Sequence, residues 1–307
     1  MKQVNLEAAN SVLKGEYDLT LRTPLHDRSY YRLEITQTPL DELGFDLAKS
    51  GICGDFERFV EHVETDGKIR ERITWKNVQY SAMNAVSDYF QNPIKLSWAD
   101  GYSYSLCIEE DDYASLIWPA QKFEGVPRDM SGYEFMLLTV DSHFEFDFFR
   151  SHLHGAIKDM RRVGDSVYIP DNGATLNLIF PPAVTECPMT CEDVRTHFLG
   201  LTVMGGGVCA LLGFETSAAP FQMVTNVPGD PSQPDKLFRV AMDMSTTMYG
   251  GMIDIRLDDG SLQGGKYTEF VYTKDSESGK RYTVRVEYAL QRIEAEEYAR
   301  GGQGTCQ

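Results

Sequence analysis

The sequence predicts a mainly β protein with an α+β minority: antiparallel meanders closed into one or two β-barrels, with a few short helices. One supporting observation lies in the last fifth of the chain. Met252-Ile253-Asp254-Ile255-Arg256-Leu257 alternates apolar and polar residues, and Asp258-Asp259-Gly260-Ser261 has tight-turn chemistry. Lys266 to Thr273 is rich in β-branched and aromatic residues, and Tyr282 to Leu290 alternates again, which reads as three consecutive strands. On the last of them Tyr282, Val284, Val286, Tyr288 and Leu290 share one face and Thr283, Arg285, Glu287 and Gln291 the other, because successive side chains on a pleated strand point to opposite sides. The other observation is a similar stretch upstream. Ile94 to Trp98 alternates, Ala99-Asp100-Gly101 turns, and Tyr102, Tyr104, Leu106 and Ile108 alternate with polar neighbours. Asp111-Asp112 then turns again, and Tyr113 to Trp118 continues. Residues 94 to 108 align with 253 to 272 as an internal duplication would, although Asp-Gly is also the common chemistry of any tight hairpin.

The other elements follow in chain order. Leu6, Ala9 and Leu13 fit a short helix over 4 to 14, and Tyr17 to Leu21 then pairs with the alternating Tyr31, Leu33 and Ile35 as a first hairpin. Phe56, Phe59, Val60 and Val63 recur at helical spacing and predict a helix over 55–64. Ile69, Ile73 and Trp75 fit a strand, and Val78 to Phe90 fits either periodicity. Pro119 to Ser131 is loop-like, Tyr133 to Val140 is apolar on both faces, and Phe148 to Val163 suits a helix. Val167 to Ile169, Leu176 to Phe180 and the apolar run from Phe198 to Phe214 read as strands, as does Phe238 to Met244. Thr190 with Asp193 predicts a short capped helix reaching His197. Gly205-Gly206-Gly207 has no phosphate-loop context and reads as a bulge or a close backbone approach.

At 307 residues and 42% hydrophobic content, the chain builds a large core in one continuous domain or in two halves. The expected halves are 1–125 and 126–300, followed by a disordered tail, 301–307. No apolar run approaches the roughly 18 residues of a membrane span, and the first residues lack the apolar core of a secretion signal. A cytoplasmic location is therefore expected. The formal net charge of −17, without a Lys/Arg cluster, argues against nucleic-acid and anionic-membrane partners. Self-association into a homo-oligomer remains open. Six cysteines in so long a chain are expected to be free thiols, the Cys187/Cys191 pair included.

Candidate chemistry falls in three groups. Trp98, Tyr102, Tyr104 and Trp118 either line a pocket for an apolar or aromatic molecule or fill the core. Asp254, Arg256, Glu269, Arg285 and Glu287 fall on neighbouring strands. Pointing inward, Arg256 and Arg285 would bind a ligand carboxylate; pointing outward, the set makes cross-strand ion pairs, which the cost of burying charge favours. The third group is Asp141, His143, Glu145 and Asp147 on one strand face, followed by His152 and His154. His143 and Glu145 are the candidate general acid and base. With His152 and His154 they make the alternative reading, a divalent-metal site.

Ile94 to Ser105, with its strand, Asp-Gly-aromatic turn and strand, resembles lipocalin-like (calycin) β-barrels of the phenolic acid decarboxylase kind. The resemblance implies a barrel whose interior holds small apolar or aromatic molecules. Leu96 and Trp98 stand where that family has paired tyrosines, so its decarboxylase activity is not implied. His152-x-His154, Gly164-Asp165 and Pro170 are similar to cupin elements, but Ala174 to Asn177 supplies no later histidine. The expected function is a soluble barrel binding a small apolar or aromatic molecule, with a lyase, isomerase or cyclase step by proton transfer and no cofactor. The alternatives are a cupin-like enzyme with a divalent metal as cofactor, and a non-catalytic assembly protein.

Overall fold

The computed structural model describes residues 11–20, 22, 24–63, 69–84, 93–109, 112–115, 157, 159–169, 175–176, 189–190, 194–216, 220–228, 237–275 and 279–301. Its strands are β1 (Arg28–Leu40), β2 (Ala48–Val63), β3 (Ile69–Asn84), β4 (Ile94–Lys95), β5 (Ser103–Glu109), β6 (Asp112–Ser115), β7 (Ser166–Ile169) and β8 (Thr175–Leu176). There follow β9 (Met189–Thr190), β10 (Val194–Met204), β11 (Gly207–Thr216), β12 (Pro220–Pro228), β13 (Leu237–Arg256), β14 (Leu262–Asp275), β15 (Arg281–Ile293) and a helix, α1 (Ala295–Arg300). Thirteen strands share one sheet in the order β6-β5-β3-β2-β1-β15-β14-β13-β11-β10-β7, with β4 beside β3 and β12 beside β13. Strands β8 and β9 pair separately. Neighbouring pairs are antiparallel, and β1 against β15, from Tyr30↔Ile293 to Leu40↔Thr283, joins the early strands to the late ones. The mainly β architecture is as expected. Barrel closure is not part of the described sheet, because among the described residues no ladder joins β6 to β7.

Alternation sets the faces. Tyr31, Leu33 and Ile35 on β1 and Val286, Tyr288 and Leu290 on β15 are buried on one side of the sheet. The same apolar cluster takes in Trp75, Leu212, Ile253 and Ile255. Burying each such side chain contributes about 1.5–3 kcal/mol. Strands β13, β14 and β15 stand where alternation places them. The glycine run proves to be the β10–β11 hairpin turn: Met204 pairs with Gly207, and Gly205 and Gly206 take φ of 54° and 76°, a geometry for which glycine is suited. A Cβ on Gly205 would lie 2.6 Å from Arg256 Nη2, so the close approach is also real.

Several expectations are corrected. Residues 55–63 belong to strand β2, not a helix. Phe56 and Val60 are buried on the core face, whereas Phe59 lies on the other, stacked with His26 and covered by Arg28 and Arg72. That outward Phe59 produced the helical spacing. Tyr17 to Thr20 forms no strand: Tyr17 N donates to Arg161 O at 2.8 Å, and Leu19 is buried. The partner of β1 is therefore β2, not this segment. Of the predicted N-terminal helix, residues 11–14 are described and are helical. His197 lies on β10, not a helix, since its segment pairs with β7 and β11.

Candidate functional site

Strand register builds an aromatic row on the core face. Trp75 on β3 pairs with Phe56 on β2, and Phe56 pairs with Tyr31 on β1. The ring centroids are 5.0 Å apart for Phe56 and Trp75 and 5.4 Å for Tyr31 and Phe56, distances at which aromatic pairs attract beyond their burial. Trp75 Nε1 donates to Tyr104 Oη at 3.2 Å, so Tyr104, 3% exposed, sits inside the core. A second aromatic group lies further along the sheet, where Tyr267 and Tyr288 stack at 4.0 Å.

The Trp75 end of the row is bordered by residues 96–102. Trp75 N donates to Tyr102 O and Gly101 N donates to Trp75 O, so this segment runs beside β3. Trp98 and Tyr102 are half-buried and pack against the apolar core. Burial holds the Tyr102 phenol well above the usual tyrosine range. The turn is fixed by charge and backbone contacts. Asn77 N donates to Asp100 Oδ1 at 2.7 Å, and Lys95 Nζ lies 3.0 Å from Asp100 Oδ2. Asn77 itself has φ of 56°, a left-handed conformation that Asn tolerates better than most residues. The irregularity there lets Trp75 and Val78, three residues apart, both reach the core.

The opposite face carries a different cluster. Arg32 Nε donates to Asp55 Oδ1 at 2.8 Å, Asn77 Nδ2 to Asp55 Oδ2 at 3.1 Å, and Arg32 Nη1 to Glu297 of α1 at 2.9 Å. Burial acts to lower the Arg32 pKa, but the Asp55 hydrogen bond and charge outweigh it and the net shift is upward. Helix α1 docks here, with Tyr298 against Tyr30 at 4.8 Å and the Tyr298 hydroxyl donating to Thr74 O at 3.3 Å.

The predicted residues are distributed as follows. Trp98, Tyr102 and Tyr104 come together along β3. Arg256 and Arg285 lie on the face opposite Ile255 and Val286. Arg256 Nη2 donates to Gly205 O and to Gln263 Oε1 at 2.9 and 3.0 Å. Arg285 reaches Glu287 and Asp46 at 3.2 and 3.3 Å. Asp254 and Glu287 share that outer face, whereas Glu269 shares the phase of the buried Tyr267 and Val271 and pairs with Val286. Trp118, His143, Glu145, His152 and His154 lie outside the described residues. Among the described residues no three His, Cys, Asp or Glu side chains converge to hold a metal. Cys209 is a free thiol. Sequence reading missed the Arg32–Asp55–Asn77 cluster and the core-face residues Arg58, Glu71 and Arg292. For Arg292 a signal existed, since it continues the two-residue phase of Tyr288 and Leu290.

No protein-family model matches the chain, and no curated protein does. Similar solved structures include the crystal structure of "a putative lipoprotein from Parabacteroides distasonis", 10% identical, covering 89% of this chain and 98% of that one at a TM-score of 0.22. Another is a loop L8 deletion mutant of OmpT, an outer membrane protein of Vibrio cholerae, 10% identical, covering 88% of this chain and 100% of that one at a TM-score of 0.16. A third is the di-domain ARO/CYC StfQ from the steffimycin biosynthetic pathway, 12% identical, covering 88% and 77% at a TM-score of 0.12. At TM-scores this low the likenesses carry no functional argument. The resemblance to phenolic acid decarboxylases extends no further than antiparallel β structure, since Trp98 lies in a 3-10 turn where a strand was implied. No helix among the described residues is long and apolar enough to cross a membrane.

Proposed function

We propose that the protein binds a small apolar or aromatic organic molecule, held by Trp98 and Tyr102 at the Trp75 end of the aromatic row. The observation carrying this reading is that both rings are half-buried on a turn that Asp100 and Asn77 hold in place. Aromatic side chains give large contact area at low entropic cost, and a rigid turn reduces the ordering penalty of binding. Tyr102, its phenol kept protonated by burial, supplies a polar edge of the kind that orients ligands in mostly apolar pockets. A proton-transfer step would fall to His143 or Glu145, making the protein a lyase, isomerase or cyclase without an organic cofactor.

Tryptophan fluorescence titrated with a panel of aromatic acids and their neutral amides tests the binding. Saturable quenching by at least one compound is expected. Trp98→Ala should weaken it about tenfold, the equivalent of roughly 1.4 kcal/mol. A panel in which no compound gives a saturable change, or a W98A variant that binds as tightly as the parent, sinks the reading.

A further inference from the structure

Arg292 occupies an unusual position. It follows Tyr288 and Leu290 in phase on β15, on the core face, directly opposite Tyr31 of β1. Its Nη1 is shielded from solvent and has no hydrogen-bond acceptor among the described residues. Neither the Tyr31 hydroxyl nor the Asp259 carboxylate accepts a hydrogen bond from this Nη1. The Tyr31 hydroxyl donates to Leu262 O at 3.2 Å. Asp259 senses the Arg292 charge, but it accepts from Ser261 N and Oγ at 2.9 and 2.5 Å and lies 3.6 Å from Arg256 Nη1. Burial alone would raise the Asp259 pKa; the Ser261 hydrogen bonds, then Arg256 and Arg292, reverse that and hold it low.

A second guanidinium lies on the same face across β1. Arg58 of β2 pairs in register with Ser29, two residues before Tyr31. Arg58 Nε is 3.1 Å from Glu71 Oε1, yet is not aligned to hydrogen-bond with it. Ser29 Oγ donates to Asp27 at 2.9 Å. The two arginines are thus separated by about 10 Å across the strands and about 7 Å along them. Glu71 pairs with Arg58 and Asp259 is shared with Arg256, so Arg292 is left with the least compensation. A guanidinium cannot relieve this by losing its proton. An anion can.

We propose that Arg292 binds a small oxyanion, a carboxylate or a phosphate, which accepts a hydrogen bond from Nη1 beside Tyr31. Guanidinium geometry matches these oxyanions in particular. This site goes beyond the Trp98 reading. It lies at the other end of the row, about 14 Å away over three strand spacings, and stands without that reading.

Thermal unfolding of the full chain in chloride, acetate and inorganic phosphate at matched ionic strength tests the site. The parent protein should melt roughly 2–4 °C higher in acetate or phosphate than in chloride. A response to acetate alone identifies a carboxylate site, to phosphate alone a phosphate site, and to both a general oxyanion site. Arg292→Met should lose the response and, freed of an unpaired charge, melt at or above the parent in chloride. Arg285→Met, on the opposite face, should keep the response. Equal melting of the parent in all three salts overturns the site. So does a rise that R292M shares, which is the signature of salts excluded from the whole surface. Should R292M not fold, Arg292→Lys, which keeps the charge and loses the fork, must show a reduced response, and a full one overturns the proposal.

Discussion

Asp55 is a carboxylate on the face of the sheet away from the aromatic row, its side chain 3% exposed, and its acceptors serve Arg32 and Asn77. Asp55→Ala leaves the Arg32 guanidinium with Glu297 alone and frees the Asn77 amide, and should cost about 3 kcal/mol in a urea titration. Tyr298 gives a separate prediction at high pH. Burial first, then the negative field of Glu57, raises its phenol from 10.0 to about 12. The folded state therefore favours the protonated ring. That contribution is complete below pH 10 and is lost as pH rises through about 12. Ultraviolet absorbance should show late-titrating tyrosines, Tyr102 among them, and Tyr298→Phe should remove the one that titrates near 12; the variant's stability should fall less steeply above pH 10 than the parent's.

Elements whose two faces differ cleanly were legible in the sequence. On β15 Val286, Tyr288 and Leu290 are buried with less buried residues between them, and on β13 Ile253 and Ile255 are buried with Met252, Asp254 and Arg256 around them. Strand β2 was not legible because Phe59 faces outward under two guanidiniums, and single-sequence periodicity cannot see a cover supplied by Arg28 and Arg72. The site was legible only in part: Tyr104 followed from alternation, Trp98 was read onto a strand and lies in a 3-10 turn, and the row that Trp75, Phe56 and Tyr31 form depends on pairing between separate strands, which composition does not encode. Gly251 gives a test of the close packing between β13 and β14. A Cβ there would lie 2.3 Å from Lys266 O and 2.3 Å from Tyr267 Cβ, both held by the ladder. Gly251→Ala should therefore cost about 1–3 kcal/mol, read as a lower urea midpoint with an unchanged slope.

The whole molecule depends on strands far apart in sequence. β15 pairs along its length with both β1 and β14, so a chain ending at Asp275 would leave two long edges unpaired. Such a chain should fail to give a cooperative thermal transition, whereas one ending at Glu294, which loses α1 and residues 301–307 but no strand of the described sheet, should keep the transition at a lower midpoint. Contacts of such long range also predict slow folding, on the millisecond-to-second scale of β-rich domains or slower.

The β1–β15 ladder also fixes how the fold would respond to tension. Tyr30 of β1 pairs with Ile293, which ends β15, so handles placed at these two residues would peel the ladder open one rung at a time. Handles at Leu40 and Ile293 would instead drag the strands lengthwise and strain every rung together. In an optical trap the first attachment should rupture at distinctly lower force than the second.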